Sequence, residues 1–139
     1  MKAKEILKDL VAINTIADKD NRLIMDYIGS FLEAQKFTVT RMKNPKTDKE
    51  VLIGKYGENP AIGFLGHTDT VDITDGWVTD PHDLTEKEGV LYGLGACDMK
   101  GGIAAFLAAI EQTDLEKLEK GLAVYCTYDE EIMFDGVKD

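Results

Sequence analysis

Hydrophobic spacing along the chain switches from helical to strand-like and back, and that order restricts the fold more than any other feature. Ile6, Leu7, Leu10 and Val11 recur at helical intervals and predict an amphipathic helix near Ala3 to Ile13. Asp20 and Asn21 can cap a second helix, in which Ile24, Tyr27, Ile28, Phe31 and Leu32 repeat every three or four residues. Three short β-prone runs follow, Phe37 to Met42, Val51 to Tyr56 and Ala61 to Gly66, separated by turn residues at Asn44-Pro45 and at Gly57 to Pro60. Thr68 to Glu88 is polar and turn-rich, and so long a connection in a compact domain is usually functional. Met99 to Ile110 predicts a small-residue helix, Asp114 to Lys120 a solvated linker or helix end, and Leu122 to Thr127 a buried strand. The expected class is α/β, with helices packed around a central mixed β-sheet.

With 139 residues the chain fits one domain, and its 44% hydrophobic content supports a real core. Sixteen basic against 26 acidic residues give a net charge of −10, which argues against nucleic acid and against an anionic membrane surface. Cys97 and Cys126 have no CxxC spacing, so each reads as a buried, reduced thiol. The first ten residues carry charges through their apolar positions, unlike a signal peptide, and the apolar stretch from Ile103 to Ile110 is too short to span a bilayer. A cytoplasmic protein is expected.

Three motifs carry chemistry. In Gly66-His67-Thr68-Asp69, an extended backbone turns His67 and Asp69 to one face, so the carboxylate can orient the imidazole. Glycines at 93, 95, 101 and 102 frame Asp98 and permit tight turns, but the pattern is neither GxGxxG nor a phosphate loop. Asp129-Glu130-Glu131 closes the last strand with three successive carboxylates, whose mutual repulsion a cation would relieve. Each motif has a plain structural reading: an ordinary histidine, an Asp98 helix cap with Lys100 on the surface, a solvated acidic loop. Those readings leave unexplained why a histidine and several acids gather at strand ends, where ligand sites of α/β folds collect. One imidazole among carboxylates suits Zn2+, with Co2+ or Mn2+ possible.

In this order the motifs resemble the dinuclear zinc hydrolases that include acetylornithine deacetylase, succinyl-diaminopimelate desuccinylase, aminoacylases and glutamate carboxypeptidases. The resemblance runs over essentially the whole chain, and Gly95 to Gly101 is most similar to the deacetylase and desuccinylase branch. It implies two zinc ions per complete active site, with His67 on one, Asp98 bridging both and Glu131 on the other. It also implies Glu130 as general base and Asp69 as the support that tunes His67. The implied reaction is removal of an acyl group from an N-acyl amino acid. A dipeptidase or carboxypeptidase of the same family, or a non-catalytic metal-binding fragment, are the alternatives. The partner is then a small N-acyl amino acid or short peptide.

Members of that family are several hundred residues long and carry a further acidic ligand, a C-terminal histidine and an inserted dimerisation domain. Residues 1–139 are therefore expected to be the N-terminal part of a catalytic domain, to bind zinc weakly and to hydrolyse little alone, while the longer form would be a homodimer. Leu94 stands where many relatives have Arg, and His82 replaces a common aromatic and reads as a surface residue.

Overall fold

Strands form where β-branched and aromatic residues concentrate, and helices where apolar residues recur every third or fourth position. In the computed structural model, which describes residues 2–17 and 19–138, α1 (Ala3–Ala12) and α2 (Arg22–Ala34) precede β1 (Thr38–Lys43), β2 (Glu50–Tyr56) and β3 (Ile62–His67). A two-stranded hairpin follows, β4 (Thr85–Lys87) and β5 (Val90–Tyr92), then α3 (Lys100–Gln112), β6 (Leu122–Thr127) and the short α4 (Asp135–Lys138). Of the expected single domain, Met1, Asp18 and Asp139 lie outside the described residues.

The main sheet has the order β1-β2-β6-β3. β2 pairs antiparallel with β1 and β6, whereas β3 runs parallel to β6 with His67 opposite Thr127. The sheet is mixed, as expected. Parallel pairing through the α3 crossover brings the carboxyl ends of β3 and β6 to one edge, and this places the site.

Register determines which side chains meet the helices. Leu52 lies opposite Cys126, and Phe64 opposite Val124, so these alternate residues share one sheet face. They join Ile6, Leu10, Ile24, Ile28, Leu32, Ile103 and Leu107 in a single apolar cluster. Each fully buried side chain of this kind stabilises the fold by roughly 1.5–3 kcal/mol. Phe64 stacks on Phe106 of α3, with ring centroids 4.5 Å apart.

Several local expectations are corrected. Asn21 precedes α2 but does not cap it; its side chain accepts from the Glu50 N–H at 2.9 Å and donates to the Glu50 carbonyl at 2.8 Å. Asp20 instead accepts the Arg22 N–H at 2.8 Å. Residue 98 does not cap α3, whose cap position is Met99 with no side-chain cap bond. Lys100 is no surface residue: it is buried and its Nζ donates to the Ile13 carbonyl at 2.8 Å. Cys126 is buried as expected, but Cys97 is exposed, because it lies in the outward-facing turn before α3. His82 is half-buried, with Nδ1 3.4 Å from the Val11 carbonyl oxygen, since the loop carrying it packs on the end of α1. Among the described residues, no helix is long and apolar enough to cross a membrane.

Candidate metal centre

His67 is the last residue of β3 and is buried. Its Nδ1 lies 3.1 Å from the Asp69 carbonyl oxygen and 3.5 Å from Asp69 Oδ1. With Nδ1 engaged there, Nε2 faces outward to Asp98 Oδ1 at 3.0 Å and Glu130 Oε2 at 3.9 Å. Asp98 arrives from the glycine-framed turn before α3, where the Asp98–Met99 peptide is cis. Glu130 and Glu131 arrive from the turn after β6. Ligand atoms of His67, Glu130 and Glu131 all lie within 4.8 Å of one another. Asp98 and Glu130 thus face His67 Nε2, Glu131 lies within 4.8 Å of a ligand atom of both His67 and Glu130, and Asp69 stands behind the ring.

Asp69 does more than orient the ring. Its Oδ2 accepts the backbone N–H of Glu131 at 3.0 Å, so one buried carboxylate fixes both the imidazole and the loop carrying the acids. That bond joins residues 62 apart in sequence and no local pattern announces it. Thr68 strengthens the same edge, since its N–H and hydroxyl both donate to the Thr127 carbonyl at 2.9 Å.

The charges show the strain of gathering acids together. Burial raises the Glu131 carboxyl above its ordinary value, and the negative charge of Asp98 raises it further, with Glu130 and Asp69 adding to this and His67 opposing it. The His67 ring is pushed up to about 9, chiefly by its bond to Asp69 and against the effect of burial, with Asp98 adding. Burial tends to raise Asp69, but the His67 ring and the N–H groups of Glu131 and Glu130 more than offset it and leave the carboxyl below its ordinary range. A divalent cation would relieve the clustered negative charge and displace the imidazole proton. The donor set of one nitrogen and several carboxylate oxygens suits zinc, whose bonds to such atoms run about 2.0–2.2 Å. Beside the cluster a cavity of about 320 Å³ opens, lined by Ala17, Thr70, Val71, Asp72, Glu131 and Ile132.

A parallel-strand edge bearing an imidazole amid carboxylates defines an α/β protein with a candidate divalent-metal centre. Residues 63–139, which include all three motifs, match the model of peptidase family M20/M25/M40, and the chain belongs to that family. It is 34% identical over 143 residues to an acetylornithine deacetylase of Buchnera aphidicola subsp. Acyrthosiphon pisum (strain Tuc7), covering 97% of this chain and 38% of that protein. It is 40% identical over 124 residues to the acetylornithine deacetylase of Pasteurella multocida (strain Pm70), covering 87% of this chain and 32% of the relative. The chain therefore spans less than two fifths of the length of these relatives. Among solved structures, human carnosine dipeptidase 1 superposes with a TM-score of 0.77 at 27% identity, over 89% of this chain and 31% of that one. An M20 family metallo-carboxypeptidase of Sulfolobus solfataricus shares the fold with a TM-score of 0.82 at 19% identity, over 94% of this chain and 31% of that one.

Proposed function

We propose that this chain forms part of a zinc-dependent amide hydrolase that removes the acyl group from a small N-acyl amino acid, acting in the cytoplasm. The observation that carries the reading is the convergence of His67 Nε2 with the carboxylates of Asp98 and Glu130, and of Glu131 with both His67 and Glu130. His67, Glu131 and the exposed Asp98 would together hold the divalent ions. Bound there, the ions would polarise the amide carbonyl and make water acidic enough to lose a proton near neutral pH. Glu130 would take that proton and return it to the leaving amine. Asp69 holds the imidazole with Nδ1 inward, so that Nε2, which faces Asp98 and Glu130, is the nitrogen a metal would take. The acetylornithine deacetylases of similar sequence favour the N-acyl substrate. The likeness to human carnosine dipeptidase 1 supports a second reading, a dipeptidase using the same residues.

The chain has two histidines, and His82 packs on α1 instead of joining the cluster. Two closed zinc sites need more protein ligands than His67, Asp98 and Glu131 provide. We therefore expect weak zinc binding and little hydrolysis of N-acetylornithine by these 139 residues alone. Titration of zinc into the wild type and into His67→Ala tests the assignment. The substitution is expected to weaken binding about a hundredfold, more than the loss of most supporting residues. Equal binding by the two proteins would remove the imidazole from the site.

Protons give a second test. With its pKa raised to about 9, His67 is protonated at pH 7 without metal, whereas a metal needs the neutral ring. Zinc binding at pH 7 should therefore release about one proton from His67, and affinity should rise about tenfold per pH unit toward pH 9. Calorimetry in two buffers of different ionisation enthalpy measures that proton. A heat independent of the buffer would contradict the assignment.

A further inference from the structure

We infer that Lys49, outside every motif and outside the family-matched residues, is a positioning residue for this metal centre, acting through the strap Ile13 to Ala17; the inference rests on the metal-site reading above. Lys49 ends the turn between β1 and β2 and is buried. Its Nζ donates to the Ala17 carbonyl and pairs with Asp129 Oδ1, 5.7 Å from the centre of the Tyr128 ring. Asn44, at the other end of that turn, donates to the Tyr128 hydroxyl at 2.9 Å. A buried ion pair of this kind adds little to stability over an apolar replacement, so its use is better sought in what it holds in place.

What it holds is the turn that aims the acids. Asp129 has φ +57°, and its carbonyl oxygen accepts N–H groups from Met133 at 3.1 Å and Phe134 at 2.7 Å. This left-handed residue swings the chain out of β6 so that Glu130 and Glu131 come back toward His67. Aspartate and asparagine adopt that conformation more readily than other non-glycine residues, and here the Lys49 pair holds Asp129 in it.

Lys49 fastens the turn to the same strap that steadies the other two loops. The Thr15 hydroxyl donates to the Thr68 carbonyl at 2.6 Å, and the Thr70 N–H donates to the Thr15 carbonyl at 3.0 Å. The Ala17 N–H donates to the Thr70 carbonyl at 3.2 Å, which pins the segment after His67. At the far end of the strap, Ile13 accepts from Lys100, two residues after Asp98. The strap therefore bonds directly to the segment after His67, meets the start of α3 beside Asp98 through Lys100, and reaches the Asp129 turn through Lys49. In this arrangement Lys49 sets where the Glu130 and Glu131 carboxylates stand relative to His67 and Asp98.

The test uses the whole chain and the double variant Lys49→Met/Asp129→Asn, which removes both charges and leaves neither buried alone. Asn tolerates the left-handed conformation, so the backbone at 129 remains accessible. Leu107→Ala, an apolar core change that alters no charge or hydrogen bond of this network, serves as a control for lost stability. The measurements are zinc titration and the visible spectrum of the Co2+ form. The double variant is expected to unfold cooperatively, to bind zinc at least about tenfold more weakly than wild type and to show an altered cobalt band, as loss of a supporting residue does elsewhere. Leu107→Ala should keep the wild-type spectrum. Wild-type affinity and spectrum in the double variant would overturn the inference, and so would absence of a cooperative transition, which would assign the pair to folding. If the wild type binds no zinc at all, the metal-site reading fails first and this inference falls with it.

Discussion

Asp69→Ala is expected to damage fold and site together, because this carboxylate is buried and serves two loops. It faces a His67 ring whose pKa is raised to about 9 and accepts the Glu131 N–H at 3.0 Å. Breaking a buried ion pair by removing one member costs about 3–5 kcal/mol, and the low end of that range applies because Asp98 and Glu130 still face His67 Nε2. Loss of the residue that orients a ligand imidazole weakens metal binding about 10- to 100-fold. The pH dependence has a definite sign. His67 is raised from 6.5 to about 9, so its share of the stability is complete below pH 6.5 and disappears as pH rises through about 9. Asp69 is lowered from 3.8, so its share is present above that value and is lost as pH falls through its folded pKa. The gap in unfolding free energy between wild type and Asp69→Ala should be widest from about pH 4 to 6.5 and shrink toward pH 9. Chemical denaturation across that range measures it, and a pH-independent gap would show that no ion pair is involved.

Two adjacent glycines give the second large effect, and they should respond in opposite directions. A Cβ on Gly101 would lie 2.3 Å from the Ala96 carbonyl oxygen, a backbone atom in the turn that carries Asp98. That turn is itself held, since Lys100 N–H donates to the Gly95 carbonyl at 2.9 Å. Gly101→Ala therefore forces the start of α3 away from the site loop, with an expected loss of about 3 kcal/mol. On Gly102 the same Cβ would meet Met99 Cε at 3.7 Å, an ordinary contact with a flexible side chain. Gly102→Ala should instead stabilise α3 by roughly 0.5–1 kcal/mol through helix propensity. Thermal unfolding of the pair decides the matter. A similar melting temperature for both would mean that the close approach at Gly101 can relax.

The elements and the candidate site residues are legible in the sequence for a common physical reason: both are written in local spacing. Local spacing marks α1, α2, β3, α3 and β6 to within a few residues, and His67, Asp69, Asp98, Glu130 and Glu131 stand at or next to the ends of β3, α3 and β6. Long-range partnerships were hidden. Lys49 and Asp129 are 80 residues apart, Lys100 and Ile13 are 87 apart, and Asn21 and Glu50 are 29 apart. A lysine or asparagine in a polar stretch looks solvated until the fold brings its partner alongside. The β4–β5 hairpin leaves little trace in the sequence because each strand has only three residues, too few for alternation to register. Its Glu88-Gly89 turn, with φ of +53° and +79°, is its one local mark, a weaker relative of the Asn-Gly type.

Where a bound zinc sits tests the central claim most directly. Crystals of this chain soaked with zinc and measured at the zinc absorption edge should give an anomalous peak about 2.0–2.2 Å from His67 Nε2, with oxygens of Asp98, Glu130 or Glu131 completing the shell. A peak at Cys97 or His82, or none beside His67 with zinc in excess, would contradict the account.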